Sequence, residues 1–454
     1  MIFPDPDSQI IGATVAEDVA FGPENLGLPP QAIRDRVRDA LRAVSLEKSH
    51  DSATHLLSDT EKFRLALAGA LALEPECLLV DRATAQLDPA GRKEAGKLLH
   101  SLNRNRGLTV IQYTGDPEEA ASADRIIVCA GGKIVLDGTP AQVLPALQQR
   151  AEAGAEPEIG AGASPVSARQ SLKGSDPEPP KGRATLLKEM TALNYLPGDS
   201  IMHRSDPRTK IVLTLCFMGA VFLFKSFPAL LLLLAIMLAL ASSAGKSLKR
   251  SLRGLKLILY LTGVAVAVNL VTIKGTPLLD HGLLRHVSLE AVATSAAMLL
   301  RVVLLASAAS LLTLSTTPFA LAEGVERLLK PLKRIGVPVS EIAMMLLIAL
   351  RFLPLIVEEA QRLILAQPAG SGEAGRVNLV QRARSYLPLF LPLFAGVARR
   401  GDALAVAMEA RCYRGGTGRT RMNPLQFCRA DLACSAAMFL ILSVVALMDQ
   451  LPLP

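Results

Sequence analysis

The 454 residues carry a formal net charge of +8, are 50% hydrophobic but only 4% aromatic, and contain no Trp. That length admits two or more domains, and the charge is unevenly shared: residues 1–150 hold 16 Lys+Arg against 21 Asp+Glu, the remainder 33 against 20. A basic remainder suits nucleic acid or a membrane, and the uncharged runs inside it decide for the bilayer and against nucleic acid. The six cysteines form no CxxC, and no His stands at zinc-ligand spacing, so reduced thiols without a metal site are expected. The polar, acidic first residues do not resemble a cleaved leader, which keeps the N-terminal domain in the cytoplasm.

In chain order, residues 1–148 alternate helical patterns with short apolar strands. Helices are predicted near Gln31–Val44, Asp59–Ala72 and Ala90–Asn105, and strands at Cys77–Val80, Thr109–Tyr113, Arg125–Cys129 and Lys133–Leu136. Such alternation implies an α/β domain with a mostly parallel sheet. Residues 149–185, rich in Ala, Gly, Ser, Pro and Glu without an apolar period, read as a flexible linker.

Residues 186–454 read as an all-α, multi-pass membrane domain. Uncharged stretches at 211–224, 226–245, 257–273, 302–322 and 432–448 give five spans. The loop over 245–256 has five basic and no acidic residues, which places it on the cytoplasmic side. Arg301 falls within the fourth span, where a functional charge and a snorkelling side chain are equally open readings. Residues 323–428 form amphipathic stretches. Apolar segments 342–357 and 385–398, broken by Pro354, Pro388 and Pro392, fit helices lying along the inner face of the bilayer. Docking of another protein and plain interfacial packing are both open for this region.

Two likenesses follow from particular motifs. FPDPDSQI (3–10), VAEDVAFGPENLGLP (15–29), LSDTEKFRLALAGALALEPECLLVDRATAQLDPAGR (57–92) and IQYTGDPEEAASADRIIV (111–128) resemble, in order and spacing, the later part of an ABC-type ATPase of energy-coupling-factor (ECF) importers. SDPRTK (205–210), with Asp206, Pro207 and Arg208 opening the first span, resembles the transmembrane T component of the same importers. So do residues 326–367 and AVAMEARCYRGGTGRT (405–420). The resemblance implies a P-loop-NTPase-like partial domain followed by a membrane domain whose coupling helices end in Ala-Arg-Gly-type motifs pressed into grooves on the ATPases. It further implies a substrate-binding membrane (S) component and an intact ECF ATPase subunit as partners, at the cell membrane.

The chain departs from that pattern at the positions that carry chemistry. No GxxxxGK[ST] occurs, so the Gly-rich phosphate cradle is missing and the chain is expected to start after it. Pro4 stands at the Q-loop glutamine. Asp59 and Thr60 replace the signature glycines after Ser58, and Glu61 replaces the next Gln. Asp81 and Asp88 match, but Arg82 stands where a base would orient water, and Gly115 where the switch histidine would be. Carboxylates at Asp59 and Glu61 would repel a polyphosphate. No residue is therefore assigned a catalytic or metal-binding role, and ATP with Mg is expected only in a complex with an intact ATPase. In the T-like part, AQPAGSG (366–372) lacks the Arg of the first coupling motif, while Ala410-Arg411-Cys412 keeps the Arg and loses the Gly. The expected function is an ECF coupling component, for a vitamin or a transition-metal ion, fused to an inactive cassette domain. Two other readings stay open: an active fusion whose P-loop segment comes from another chain, and a decayed fusion without transport. A sheet lacking strands would leave apolar surface bare, because parallel sheets are normally covered on both faces.

Overall fold

The computed structural model describes residues 1–152, 205–224, 226–243, 256–272, 288–366, 379–416, 418–424 and 429–450. The linker beyond Glu152, most of the basic loop over 245–256 and the first coupling segment beyond Ala366 lie outside the described residues. The chain forms two compact units, residues 1–180 with 351–424, and residues 181–350 with 425–454. Residues 351–424 fall in the first unit with the N-terminal residues.

The first unit opens with α1 (Val15–Asn25), α2 (Pro30–Ala43) and α3 (Asp59–Leu71). Thr14 and Glu17 form a capping box on α1, and Ser58 and Glu61 form another on α3, so both starts have orphan amides satisfied by local side chains. Strand β1 (Cys77–Asp81) pairs in parallel with β2 (Thr109–Tyr113), Cys77 opposite Thr109 and Asp81 opposite Tyr113. Between them α4 (Pro89–Arg106) is capped by Asp88 and ends on Gly107 at φ 64°. On the other edge of β1, Ile2 donates to the Leu79 carbonyl at 2.8 Å and accepts from the Asp81 amide at 2.8 Å. After the short α5 (Pro117–Ala120), β3 (Ile126–Ala130) and β4 (Lys133–Gly138) form an antiparallel hairpin, followed by α6 (Pro140–Glu152). The expected mostly parallel sheet is thus one parallel pair and one hairpin. Gly131 and Gly132, at φ 56° and 75°, supply the tight turn that sends the chain straight back.

The core of this unit joins Ile2, Ile10, Val15, Val19, Phe63, Leu67, Leu78 and Val80 with Leu99 of α4. The opposite face of the parallel pair is bare: Leu79 is 42% exposed, and Ile111 and Tyr113 are each 55% exposed. Burying such side chains is worth about 1.5–3 kcal/mol apiece, so this face is a substantial uncovered apolar surface.

The second unit contains α7 (Pro207–Leu223), α8 (Phe227–Ser243), α9 (Lys256–Thr272), α10 (Leu289–Ser315), α11 (Pro318–Leu329) and α14 (Arg429–Gln450). Helix α12 (Val339–Ala366) is divided between the units at Leu350, and α13 (Leu379–Ala410) belongs to the first. Among the described residues, Glu290–Ser315 and Val339–Gln361 are long and apolar enough to cross a membrane. Phe227–Leu240, Tyr260–Leu270 and Asp431–Leu447 are shorter apolar helices.

Two expectations shift here. The fourth stretch, read as 302–322, is helical over Leu289–Ser315, and Thr317 with Pro318 starts a new helix after it. Arg301 therefore lies mid-helix, and its Nη2 donates to the Phe224 carbonyl at 3.2 Å, capping the end of α7. The segments 342–357 and 385–398 are parts of continuous helices of 28 and 32 residues that run through Pro354, Pro388 and Pro392. One lost amide bond per proline does not outweigh a helix of that length held by its neighbours.

Candidate functional site

Two places in the first unit gather the residues that the sequence singled out. One is the C-terminus of α13. Tyr413 donates from its amide to the Met408 carbonyl at 3.0 Å, and Cys412 to Glu409 at 2.9 Å. That is a Schellman end, and it puts Cys412 in the left-handed region at φ 60°. The glycine expected at this position is dispensed with, at a steric cost of about 1–2 kcal/mol.

This end delivers Arg411, only 6% exposed, against α1. Its Nη1 lies 3.1 Å from Oδ1 of Asp18, which is fully buried, and 3.3 Å from the Asp18 carbonyl. Asp18 is held in advance: Oδ1 also accepts from the amides of Ile11 at 2.7 Å and Gly12 at 3.1 Å. A Cβ on Gly12 would sit 2.3 Å from the Asp18 amide nitrogen, so only glycine permits this loop. The Asn25 amide donates to the Arg411 carbonyl at 3.0 Å, which satisfies a helix-end acceptor. A Cβ on Gly69 of α3 would stand 3.0 Å from Nη2 and 3.1 Å from Cζ of Arg411, so α3 leaves the guanidinium its slot. Ala410 ends the helix itself.

Beyond Cys412 the chain continues across α1 and α2. Tyr413 stacks on Phe21 with centroids 6.0 Å apart, and Arg419 lies over the same ring at 4.8 Å while pairing with Glu24 at 2.8 Å. Thr420 donates its hydroxyl to the Leu28 carbonyl at 2.7 Å, and Met422 is buried in the unit's core. None of Asp18, Glu24, Gly69 or Met422 was marked by the sequence, since no local pattern points to them. Arg351 of α12, 6% exposed in the same unit, was also missed; its one signal was a charge inside an apolar helix.

The other place is a cleft of about 370 Å³ at the carboxyl ends of β1 and β2, where parallel sheets usually take ligands. Arg82 and Gly115 both line it, together with Thr84, Arg92, Thr114, Asp116 and Glu119. Arg82 sits at φ 48°, its amide tied to the Tyr113 carbonyl at 2.9 Å. One oxygen of Glu119 accepts from Thr84, Gln112 and Thr114 at 3.0, 2.9 and 2.7 Å, and Arg92 pairs with Asp116 at 3.3 Å. Glu119 is thus engaged through one oxygen and Asp116 through its pair with Arg92, and among the described residues no glycine-rich run of amides lines the cleft. The phosphates of a Mg-nucleotide need a cradle of backbone amides, and the described lining does not include one.

The remaining motif residues do not line the cleft. Asp81 ends β1 in its pairing with Tyr113, and Pro4 is exposed. Ser58, Asp59, Thr60 and Glu61 form the start of α3, with Lys62 bridging to Asp7 at 2.9 Å. Two hydrogen bonds from Ser58, the backbone one first, hold the Glu61 carboxyl below its ordinary range. Asp88 caps α4, and a Cβ on Gly91 would meet both Asp88 and Thr60 at 2.6 Å, so the two helix starts touch there.

In the second unit, Asp206 caps α7 by accepting from the Arg208 amide at 2.9 Å, with Pro207 in the first turn. The Asp206 amide donates to the carboxylate of Asp431 at 3.0 Å, tying α7 to α14. Lys210 reaches the Ser315 carbonyl at 3.4 Å. The opening motif is a buried brace between helices.

Comparison with known proteins covers both parts. The family described as "Cobalt transport protein" (CbiQ) matches residues 198–422. An "Energy-coupling factor transporter transmembrane protein EcfT" of Ruminiclostridium cellulolyticum is 42% identical over 264 residues, 58% of this chain and 98% of the relative. An "Energy-coupling factor transporter ATP-binding protein EcfA1" of Caldanaerobacter subterraneus is 51% identical over 143 residues, 32% of this chain and 52% of the relative. A "Putative ABC transporter ATP-binding protein" of Bifidobacterium longum is 31% identical over 97% of this chain and 51% of its own length. The chain spans about half the length of these last two relatives.

Proposed function

This chain belongs to the EcfT family of energy-coupling factor transporter transmembrane proteins, and from that premise we propose that it is the coupling component of an ECF-type importer fused to an ABC-like unit that passes on movement without hydrolysing ATP. The observation that carries this reading is the Arg411–Asp18 joint. A helix of 32 residues is a lever of about 48 Å, and its end is seated on a buried carboxylate prepared by two backbone amides. A displacement of α1 or α3 is thereby handed to α13 as a whole rather than lost in a flexible contact.

In this proposal a separate S component selects the substrate, a vitamin or a transition-metal ion such as cobalt, and an intact ECF ATPase supplies hydrolysis. The chain is multi-pass in the cell membrane with its ABC-like unit on the cytoplasmic side. The inactive state of that unit is supported by Arg82 and Gly115 in the cleft and by carboxylates that are already engaged. The test is ATP hydrolysis by the purified full chain, alone and with an EcfA1-type partner. No vanadate-sensitive turnover by the chain alone, and turnover indifferent to Asp81→Asn in the complex, are expected. Turnover that dies with Asp81→Asn sinks the inactive reading.

A second reading draws on the bare apolar face of Leu79, Ile111 and Tyr113. Under it, a P-loop-bearing segment of another polypeptide covers that face and completes an active site. The Asp81→Asn experiment in the complex separates the two.

A further inference from the structure

Residues 413–422 do something that the Arg411 contact does not. A buried ion pair gains little over its desolvation cost and holds only while both charges stay in register. The described residues that follow attach by several kinds of interaction at once. They stack an aromatic ring on Phe21, place Arg419 over that ring and on Glu24, and bury Met422 in the unit's core. Glu24 is the hub: one carboxylate oxygen takes Arg419 at 2.8 Å and the other the Met422 amide at 2.9 Å, while its carbonyl accepts from the Thr420 amide at 3.1 Å. From α2, Arg34 donates to the Met422 carbonyl at 3.2 Å. Charge-assisted bonds of this sort are each worth more than neutral ones, and none of them involves Asp18 or Arg411.

We propose that residues 413–422 are a second docking element, a strap that holds the ABC-like unit on the coupling helix independently of the Arg411–Asp18 pair and keeps a free ATPase subunit out of that seat. The surface it uses is the ridge of α1 and α2 around Phe21, Glu24 and Arg34, and its occupant is this chain's own segment. The inference rests on the coupling reading, from which the seat takes its meaning. The strap's hold on the unit is measurable without transport.

Native Cys412, half-buried beside the joint, is the probe. In the full chain in lipid nanodiscs, its alkylation by N-ethylmaleimide is followed by peptide mass for wild type, Arg411→Ala, Glu24→Gln and the double variant. A strap that acts on its own predicts a Glu24→Gln rate above wild type and a double-variant rate about tenfold or more above that of Arg411→Ala, the size of a lost charge-assisted bond. Equal rates in Arg411→Ala and the double variant would overturn the proposal, and so would a Glu24→Gln rate equal to wild type. Phe21→Leu, which keeps an apolar side chain and removes the stacking, gives the same ordering if folding rather than the strap limits Glu24→Gln.

The second arm adds the Caldanaerobacter EcfA1 relative carrying a cysteine at the position aligned with Asn25, with a thiol-bridging reagent. Wild type is expected to give no cross-link from Cys412, and Glu24→Gln a clear one. Equal cross-linking in both refutes exclusion. Failure of the coupling reading shows elsewhere, as substrate uptake unaffected by Arg411→Ala, and leaves both labelling results interpretable.

Discussion

The Arg411 joint and the Arg82 cleft lie in one unit and are built on adjoining elements, yet they treat charge in opposite ways. At the joint, a fully buried carboxylate meets a guanidinium, two backbone amides converge on the same oxygen, and a glycine on α3 clears the space. At the cleft, Asp116 pairs with Arg92 and one oxygen of Glu119 takes three neighbours, while Arg82 has no ion-pair partner among the described residues. A site kept for force transfer needs complementary shape and charge between its own parts. A site kept for chemistry needs unspent groups aimed at an absent molecule. The joint meets the first description.

The largest expected effect separates the two places directly. Arg411→Ala leaves Asp18 buried without its cation and should cost about 3–5 kcal/mol in denaturant unfolding of the first unit. Arg82→Ala should stay within about 0.5 kcal/mol of wild type; equal losses would break the comparison. Gly69→Val forces a branched side chain into the guanidinium slot, with an expected loss of about 1–3 kcal/mol. That loss should shrink in an Arg411→Ala background, since the clash is with Arg411 itself, and a double-mutant cycle reads the difference.

Cys412→Gly runs the other way. It relieves the left-handed strain while keeping the Schellman bonds, and should stabilise the unit by about 1 kcal/mol in the same unfolding measurement. The smallest effect belongs to Glu61. Its carboxyl is held below the ordinary value of 4.5 by hydrogen bonds from Ser58. The stability it adds is therefore present above that value and drains away as pH falls through the lowered one. Melting curves of wild type and Glu61→Gln should converge as pH drops below 4.5.

Much of the fold was legible because local rules and packing agree. α3 and β2 begin at Asp59 and Thr109 as predicted, and α4 begins at Pro89, one residue before its predicted start; Ser58 with Glu61 and Asp88 cap the two helices. The hairpin of β3 and β4 was legible too, in Gly131-Gly132, but the strand–helix alternation upstream suggested a parallel sheet and hid it. Pro354 and Pro388 read as breaks, and the helices run through them because tertiary support outweighs a local defect. Of the joint, the resemblance marked one side only, Ala410, Arg411 and Cys412. Asp18 is separated from Arg411 by 393 residues, and a contact of that span leaves no periodicity to find.

That separation has a consequence for how the protein is made. The first unit's core includes Met422, and its joint includes Arg411, so the unit cannot be completed when its first 152 described residues leave the ribosome. At about 5–20 residues per second, synthesis of the intervening chain takes roughly 20–80 s. Throughout that interval Asp18 is without its arginine, and the ridge at Phe21 and Glu24 is uncovered. Placement of the helices between them is thus a step in the folding of the α/β unit, and a stall there would surface first as a half-built unit.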